Sequence, residues 1–305
     1  MLRRLRICDG KLVDTDDVDP PVLLFVSPDD AERKRLVEEF KIDEHTLQSA
    51  LDPDELSRVE FEPDHVALIY KRPKNYSAKD NYLFRVTSAG VFLFKDRLII
   101  VQPDDSVGFE GRIFNRLCSL QDVLLRLIYR SIFHFLEHLK AINMISTELE
   151  GHINTAMENR YLFSLFTLEK SLVYYLNAIN SNSKVIDRLS HNAAKIGLTP
   201  EHLEFLDDMG IENNQCYRQA EIYSNILASM MDARASIVGN NLNMLMKTLT
   251  IITIAIMVPT FVVSAFSMNV LMPFDNNHPF TFWGIMSLAF LSMGAVIAVW
   301  RYKKW

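Results

Sequence analysis

The chain has 305 residues, 49% hydrophobic and 23% charged, with a formal charge of −6. Such averages describe an ordinary soluble protein, and the acidic balance argues against a nucleic-acid binder. The distribution of charge does not fit a soluble protein: no Asp, Glu, Lys, Arg or His occurs from Thr248 to Phe274 or from Pro279 to Trp300. Each run exceeds the ~20 helical residues that cross a hydrocarbon core.

Seven of the eleven prolines lie in the first 103 residues. Proline breaks helix interiors, so the first third is expected to be mixed and the rest mostly helical. Residues 22–26, 65–70, 82–87, 91–95 and 97–102 read as strands, the last two as a hairpin about Lys95-Asp96-Arg97. Residues 29–41 and 44–51 read as helices, with Ser27 or Asp29 to cap the first. Residues 1–110 therefore form an α/β domain. It shows no GxGxxG, P-loop, nucleophile elbow or HExxH, and an enzyme is not expected.

Residues 111–247 read as helical. Leu120, Val123, Leu124, Leu127, Ile128, Ile132, Phe135 and Leu139 form one apolar stripe. Leu162, Leu165, Phe166, Leu168, Leu172, Tyr175 and Leu176 form a second, after a break near Gly151–Asn159. His134 and His138 have metal-capable spacing, but no third ligand is in view. Cys8, Cys118 and Cys216 lie far apart and suggest neither a disulfide framework nor a zinc site. A third helix begins at Leu198-Thr199-Pro200-Glu201 and is expected to run as a stalk into the first span, with Gly210 and Gly239 as places to bend.

Residues 248–305 are the membrane part, with spans at about 248–268 and 280–300. Lys247 precedes the first; Arg301, Lys303 and Lys304 follow the second; the loop between has no Lys or Arg. The positive-inside rule then places the large N-terminal part and the C-terminus in the cytoplasm. The N-terminus has no apolar stretch of signal-peptide length. Trp283, Trp300, Tyr302 and Trp305 suit interfacial anchors.

At 100° per residue, Asp232, Ser236, Gly239, Asn243, Met246, Thr250, Thr253, Met257, Thr260 and Ser264 share one helix face. Ile251, Ile252, Ala255, Val258, Val262 and Phe266 lie opposite. Two readings stand: close helix–helix contact through small residues, or a conduit lined by several copies. The continuation of the stripe from Asn243 to Asp232, below the span, favours the conduit. One hairpin cannot enclose a pore, so the conduit needs an oligomer. Pro259 sits inside the span and removes one backbone donor.

The first span ends Phe266-Ser267-Met268-Asn269, followed by a short loop and one more span. This layout resembles the CorA family of divalent-cation channels, whose signature there is Gly-Met-Asn. The run Asn243 to Ile252, with Met246-Lys247 and Leu249-Thr250-Ile251-Ile252, resembles that family's stalk run. Thr260-Phe261, Arg58-Val59-Glu60-Phe61-Glu62 and the basic end Lys303-Lys304-Trp305 match it too. The resemblance covers essentially the whole chain.

The resemblance implies an α+β cytoplasmic domain, an α/β sandwich plus long helices and a stalk helix, followed by a two-helix transmembrane hairpin. It implies a homopentameric funnel in the cell (inner) membrane, with both termini cytoplasmic and no nucleic-acid partner or organic cofactor. It implies passive uptake of hydrated magnesium, gated by intracellular magnesium. Ser267, Met268 and Asn269 would form the selectivity filter. Asn243, Met246, Leu249, Thr250, Thr253, Met257, Thr260 and Ser264 would line the pore. Asp208, with Asp207, Asp232 and Asp52, would hold regulatory magnesium; the family's partner carboxylate falls at Ser49. Ser267 departs from the family glycine, restricting the backbone and adding a hydroxyl. The alternatives are a zinc, cobalt or nickel transporter resembling the ZntB branch, and a non-conducting, membrane-anchored divalent sensor or scaffold.

Overall fold

A computed structural model describes residues 1–77, 80–105, 109, 111–155, 159–268 and 279–303. Two compact units emerge, Met1–Met231 and Asp232–Trp305. The first is built on one seven-stranded sheet in the order β2-β1-β3-β7-β6-β5-β4. Its strands are β1 Leu2–Cys8, β2 Lys11–Asp14, β3 Val22–Val26, β4 Arg58–Phe61, β5 His65–Pro73, β6 Val86–Phe94 and β7 Leu98–Gln102. The pairing of β3 with β7 is parallel, and every other pairing is antiparallel. β3 and β7 are buried on both faces, which is why VLLFV and LIIVQ are nearly unbroken apolar runs.

Helices α1 (Asp30–Glu38) and α2 (Glu44–Leu51) cover one face through Leu36, Leu47 and the adjoining Phe40 and Ile42. Asp29 caps α1 in a reciprocal box with Glu32, as its position before the helix predicts. Helices α3 (Leu120–Thr155) and α4 (Asn159–His191) cover the other face. The short α5 (Ala193–Ile196) leads to α6 (Pro200–Phe266), 67 residues without interruption at Gly210 or Gly239. Within the first unit α6 buries Leu206, Met209, Cys216, Ala220 and Leu227 against α3 and α4.

Three expectations needed correction. Residues 82–87 and 91–95 are not two strands: β6 runs through Thr87-Ser88-Ala89-Gly90, while Asn81 and Tyr82 turn with positive φ. Gly90 serves packing rather than a turn, since a Cβ there would lie 2.5 Å from the Ala50 side chain of α2. The β1–β2 hairpin was missed because charge interrupts its apolar residues, with Arg3, Arg4 and Arg6 in β1 and Lys11 and Asp14 in β2. Asp9-Gly10, both with positive φ, is its turn, a pair that favours the two-residue hairpin. Arg3 pairs with Asp14 across it at 2.9 Å. β4 was not among the expected strands, its stretch having been matched only to the family.

The sheet ends where β4 begins, and a side chain completes its edge. Arg58 pairs with Ile69, leaving Lys71 beyond the ladder. The fully buried Asn182 of α4 accepts the Lys71 N–H at 2.8 Å and donates to the Lys71 carbonyl at 2.7 Å. It also accepts the Ser57 hydroxyl at 2.8 Å. Asn182→Ala would bury unpaired backbone groups and should cost about 2–3 kcal/mol, read as a lower thermal unfolding midpoint.

The metal-capable pair on α3 is half-buried and packed within the fold. His138 Nδ1 and the Tyr175 hydroxyl share a 2.6 Å hydrogen bond, and His134 stands beside His138 with ring centroids 4.4 Å apart. Burial, reinforced by the charges of His138, Arg130 and Arg72, pushes His134 from 6.5 down to about 3; burial pushes His138 down to about 4. The unfolded chain takes up these protons first, so stability is complete above pH 6.5 and is lost as pH falls through about 4. His138→Gln should flatten that loss in unfolding midpoints measured across this window.

Candidate functional site

In the second unit, the remaining part of α6 packs against α7 (Pro279–Lys303). Their contact uses every third or fourth residue. Ile251, Ala255, Val258, Val262 and Phe266 of α6 are half-covered, as are Ile285, Met286, Ser292 and Val296 of α7. Ala289 is the most enclosed residue described on α7. The apolar face expected opposite the polar stripe is therefore the packing face, apart from Ile252, which is exposed.

The polar stripe lies uncovered within this unit. Asn243, Met246, Leu249, Thr250, Thr253, Met257, Thr260 and Ser264 are all exposed. Met246, Leu249 and Met257 are 60%, 65% and 63% exposed, too much apolar surface to face water as a single chain. The threonines share one pattern. Thr250 donates its hydroxyl proton to the Met246 carbonyl at 2.8 Å, Thr253 to Leu249 at 2.9 Å, and Thr260 to Ile256 at 2.7 Å. Their protons are committed to the helix, so each hydroxyl presents lone pairs outward. Ser236, further down the stripe, does the same toward Asp232 at 3.1 Å. Pro259 lies inside the helix and has no N–H for the Ala255 carbonyl, yet the helix continues.

Ser267 closes the end of α6 without positive φ. Both its N–H, at 3.1 Å, and its hydroxyl, at 2.9 Å, donate to the Ser264 carbonyl, one of the acceptors a helix end leaves open. The serine thus serves as a cap in its own right. Met268 is exposed. Asn269 and the loop 270–278 lie outside the described residues, as do Lys304 and Trp305.

The acidic candidates are dispersed. Asp207 and Asp208 are exposed on α6, between the core residues Leu206 and Met209, and so point away from the core. Asp208 and Glu212 raise the Tyr129 pKa, after burial as the main cause. Asp52 ends α2, and its carboxylate accepts the Asp54 N–H at 2.9 Å. Asp232 is exposed and belongs to the second unit. Among the described residues, no group of three or more His, Cys, Asp or Glu side chains could hold a metal ion. Ser49 sits in an ion-pair network that spacing did not suggest. Its hydroxyl meets Glu55 and Arg58, and the Arg58 guanidinium also spans Glu55, at 2.5 Å, and Glu60, at 2.7 Å.

The curated Cobalt/magnesium transport protein CorA of Methanocaldococcus jannaschii is 27% identical over 293 residues, 91% of this chain and 89% of that one. The complete structure of the CorA magnesium transporter from the same organism overlays with a TM-score of 0.80 at 22% identity, covering 98% of this chain and 96% of that one. The ZntB cytoplasmic domain from Vibrio parahaemolyticus overlays with a TM-score of 0.58 at 14% identity, covering 78% of this chain and 98% of that one. These overlays establish the fold: an α/β soluble part, long helices and C-terminal apolar helices. The model of the CorA-like Mg2+ transporter protein family matches residues 23–303, and the chain belongs to that family.

Proposed function

We propose that the chain is a passive channel for hydrated magnesium, conducting along the α6 face from Asn243 to Ser264 and gated by magnesium on its cytoplasmic side. The family is one of membrane transporters of divalent cations, not of enzymes. The threonine hydroxyls, their protons committed to the helix, carry the finer reading. A hydrated divalent ion presents water protons, and magnesium sheds that water reluctantly. Hydroxyl lone pairs and the Asn243 carboxamide can bond those protons without replacing the shell. Exposed Met246, Leu249 and Met257 would meet their counterparts around an axis, forming constrictions that close by dewetting. That arrangement needs several copies, and a homopentamer with cytoplasmic termini is the assembly we propose. Asn269, with Ser267 and Met268, would form the ring at the outer mouth. Cobalt is a second cargo, supported by the name of the curated relative. A zinc-handling branch is not favoured, since the matching family and that relative are named for magnesium and cobalt.

Gating would rest on Asp208, with Asp207, Asp232 and Asp52, meeting carboxylates of a neighbouring copy. Repulsion between such carboxylates falls when a divalent ion binds, so rising magnesium favours the closed assembly. The exposure of Asp207, Asp208 and Asp232 supports this reading.

Magnesium flux into proteoliposomes under an inside-negative potential tests the proposal. Asn269→Ala should abolish flux, and the triple change Thr250→Val, Thr253→Val and Thr260→Val should lower it by about tenfold or more while preserving shape. Wild-type flux in the triple variant would remove the stripe from the pathway. Asp208→Ala should move closure to higher internal magnesium; an unchanged magnesium response would exclude Asp208 from the sensor.

A further inference from the structure

The second unit also holds a groove that the stripe does not use. Its volume is ≈ 410 Å³, and Ile251, Ile254, Ala295, Val296, Val299, Trp300 and Lys303 line it. Apart from the Lys303 ammonium and the Trp300 ring nitrogen, its side chains offer only carbon. It is open at the side, with Ile254 43% and Val299 58% exposed.

One end of the groove is charged from both helices. A neighbouring cleft sets residues 259–267 of α6 against 286–293 of α7, and the groove sets 251–254 against 295–303. The two helices are therefore antiparallel, and the register brings Lys303 level with the residues just before Ile251. Lys247 lies one turn before Ile251, on the same side of α6. By this register Lys247 belongs to the same end of the hairpin as the Lys303 and Trp300 that line the groove.

We propose that this groove is a binding site for one anionic phospholipid, its acyl chain along Ile251, Ile254, Val296 and Val299 and its phosphate between Lys247 and Lys303. The inference rests on the two apolar helices lying in a membrane and is independent of conduction. An aliphatic tail matches the lining, and a negative headgroup matches the two lysines. A zwitterionic headgroup brings a cation that the same lysines repel.

The test is thermal unfolding of the full chain in detergent, with added phosphatidylglycerol, phosphatidylcholine or inorganic phosphate. Phosphatidylglycerol should raise the midpoint by roughly 3–6 °C, and the other two by less than about a third of that. Lys247→Gln with Lys303→Gln should lose the excess response to phosphatidylglycerol and keep the response to phosphatidylcholine. Ala295→Phe, which fills the groove and leaves both lysines, should lose the excess as well. Equal responses of the wild-type chain to the two lipids would overturn the proposal without reference to any variant. So would phosphate alone reproducing the shift, which would mean a headgroup site without a groove. A changed particle size in Ala295→Phe with the lipid response intact would mean that a second copy covers the groove.

Discussion

Hydrocarbon supplies no hydrogen bonds, and the C-terminal part of this chain is organised by that constraint. Backbone groups facing hydrocarbon are satisfied within the helix, the Ala255 carbonyl opposite Pro259 excepted, and hydroxyl protons there need a partner as well. Thr250, Thr253 and Thr260 meet the condition by bonding one turn back. This makes hydroxyl residues tolerable in a span, and it also fixes their outward character as acceptors. The same requirement shapes the end of α6, where Ser267 turns both of its donors onto Ser264.

The soluble unit answers the same requirement by different means. Its sheet has an edge that β4 does not reach, and Asn182 supplies a donor and an acceptor in place of a strand. Its α3–α4 layer keeps two histidines neutral by burial, with Tyr175 as partner to one. In both units, these polar groups are paired through side chains that periodicity alone would class as misplaced.

Much of the fold was legible because burial writes simple patterns. β3 and β7 are apolar without alternation because helices cover both faces. α3 and α4 are amphipathic because one side meets the sheet. The spans stand out because no charge interrupts them. The β1–β2 hairpin was not legible from apolar pattern, since its cohesion includes Arg3–Asp14 pairing; the Asp9-Gly10 dipeptide was the signal to use. β6 was split because Gly90 looks like a turn, whereas its missing Cβ is what α2 packs against. The stripe from Asn243 to Ser264 was readable from helical geometry. The direction of its hydroxyl protons was not, because it depends on side-chain rotamers rather than on spacing. The Ser49–Glu55–Arg58–Glu60 network was equally hidden, since its members come from a helix, a loop and a strand.

The committed protons of the threonine stripe have one more consequence. Along the proposed pathway these three hydroxyls offer only lone pairs, and they have no means of sensing what a water coat encloses. Ions of equal charge and similar coated girth present the same outer layer of hydrogens, whatever the softness or preferred geometry of the metal inside. Such hydroxyls sort by coat and charge alone. Magnesium and cobalt, which differ in every ligand preference that a thiolate or imidazole site would exploit, would look alike to them.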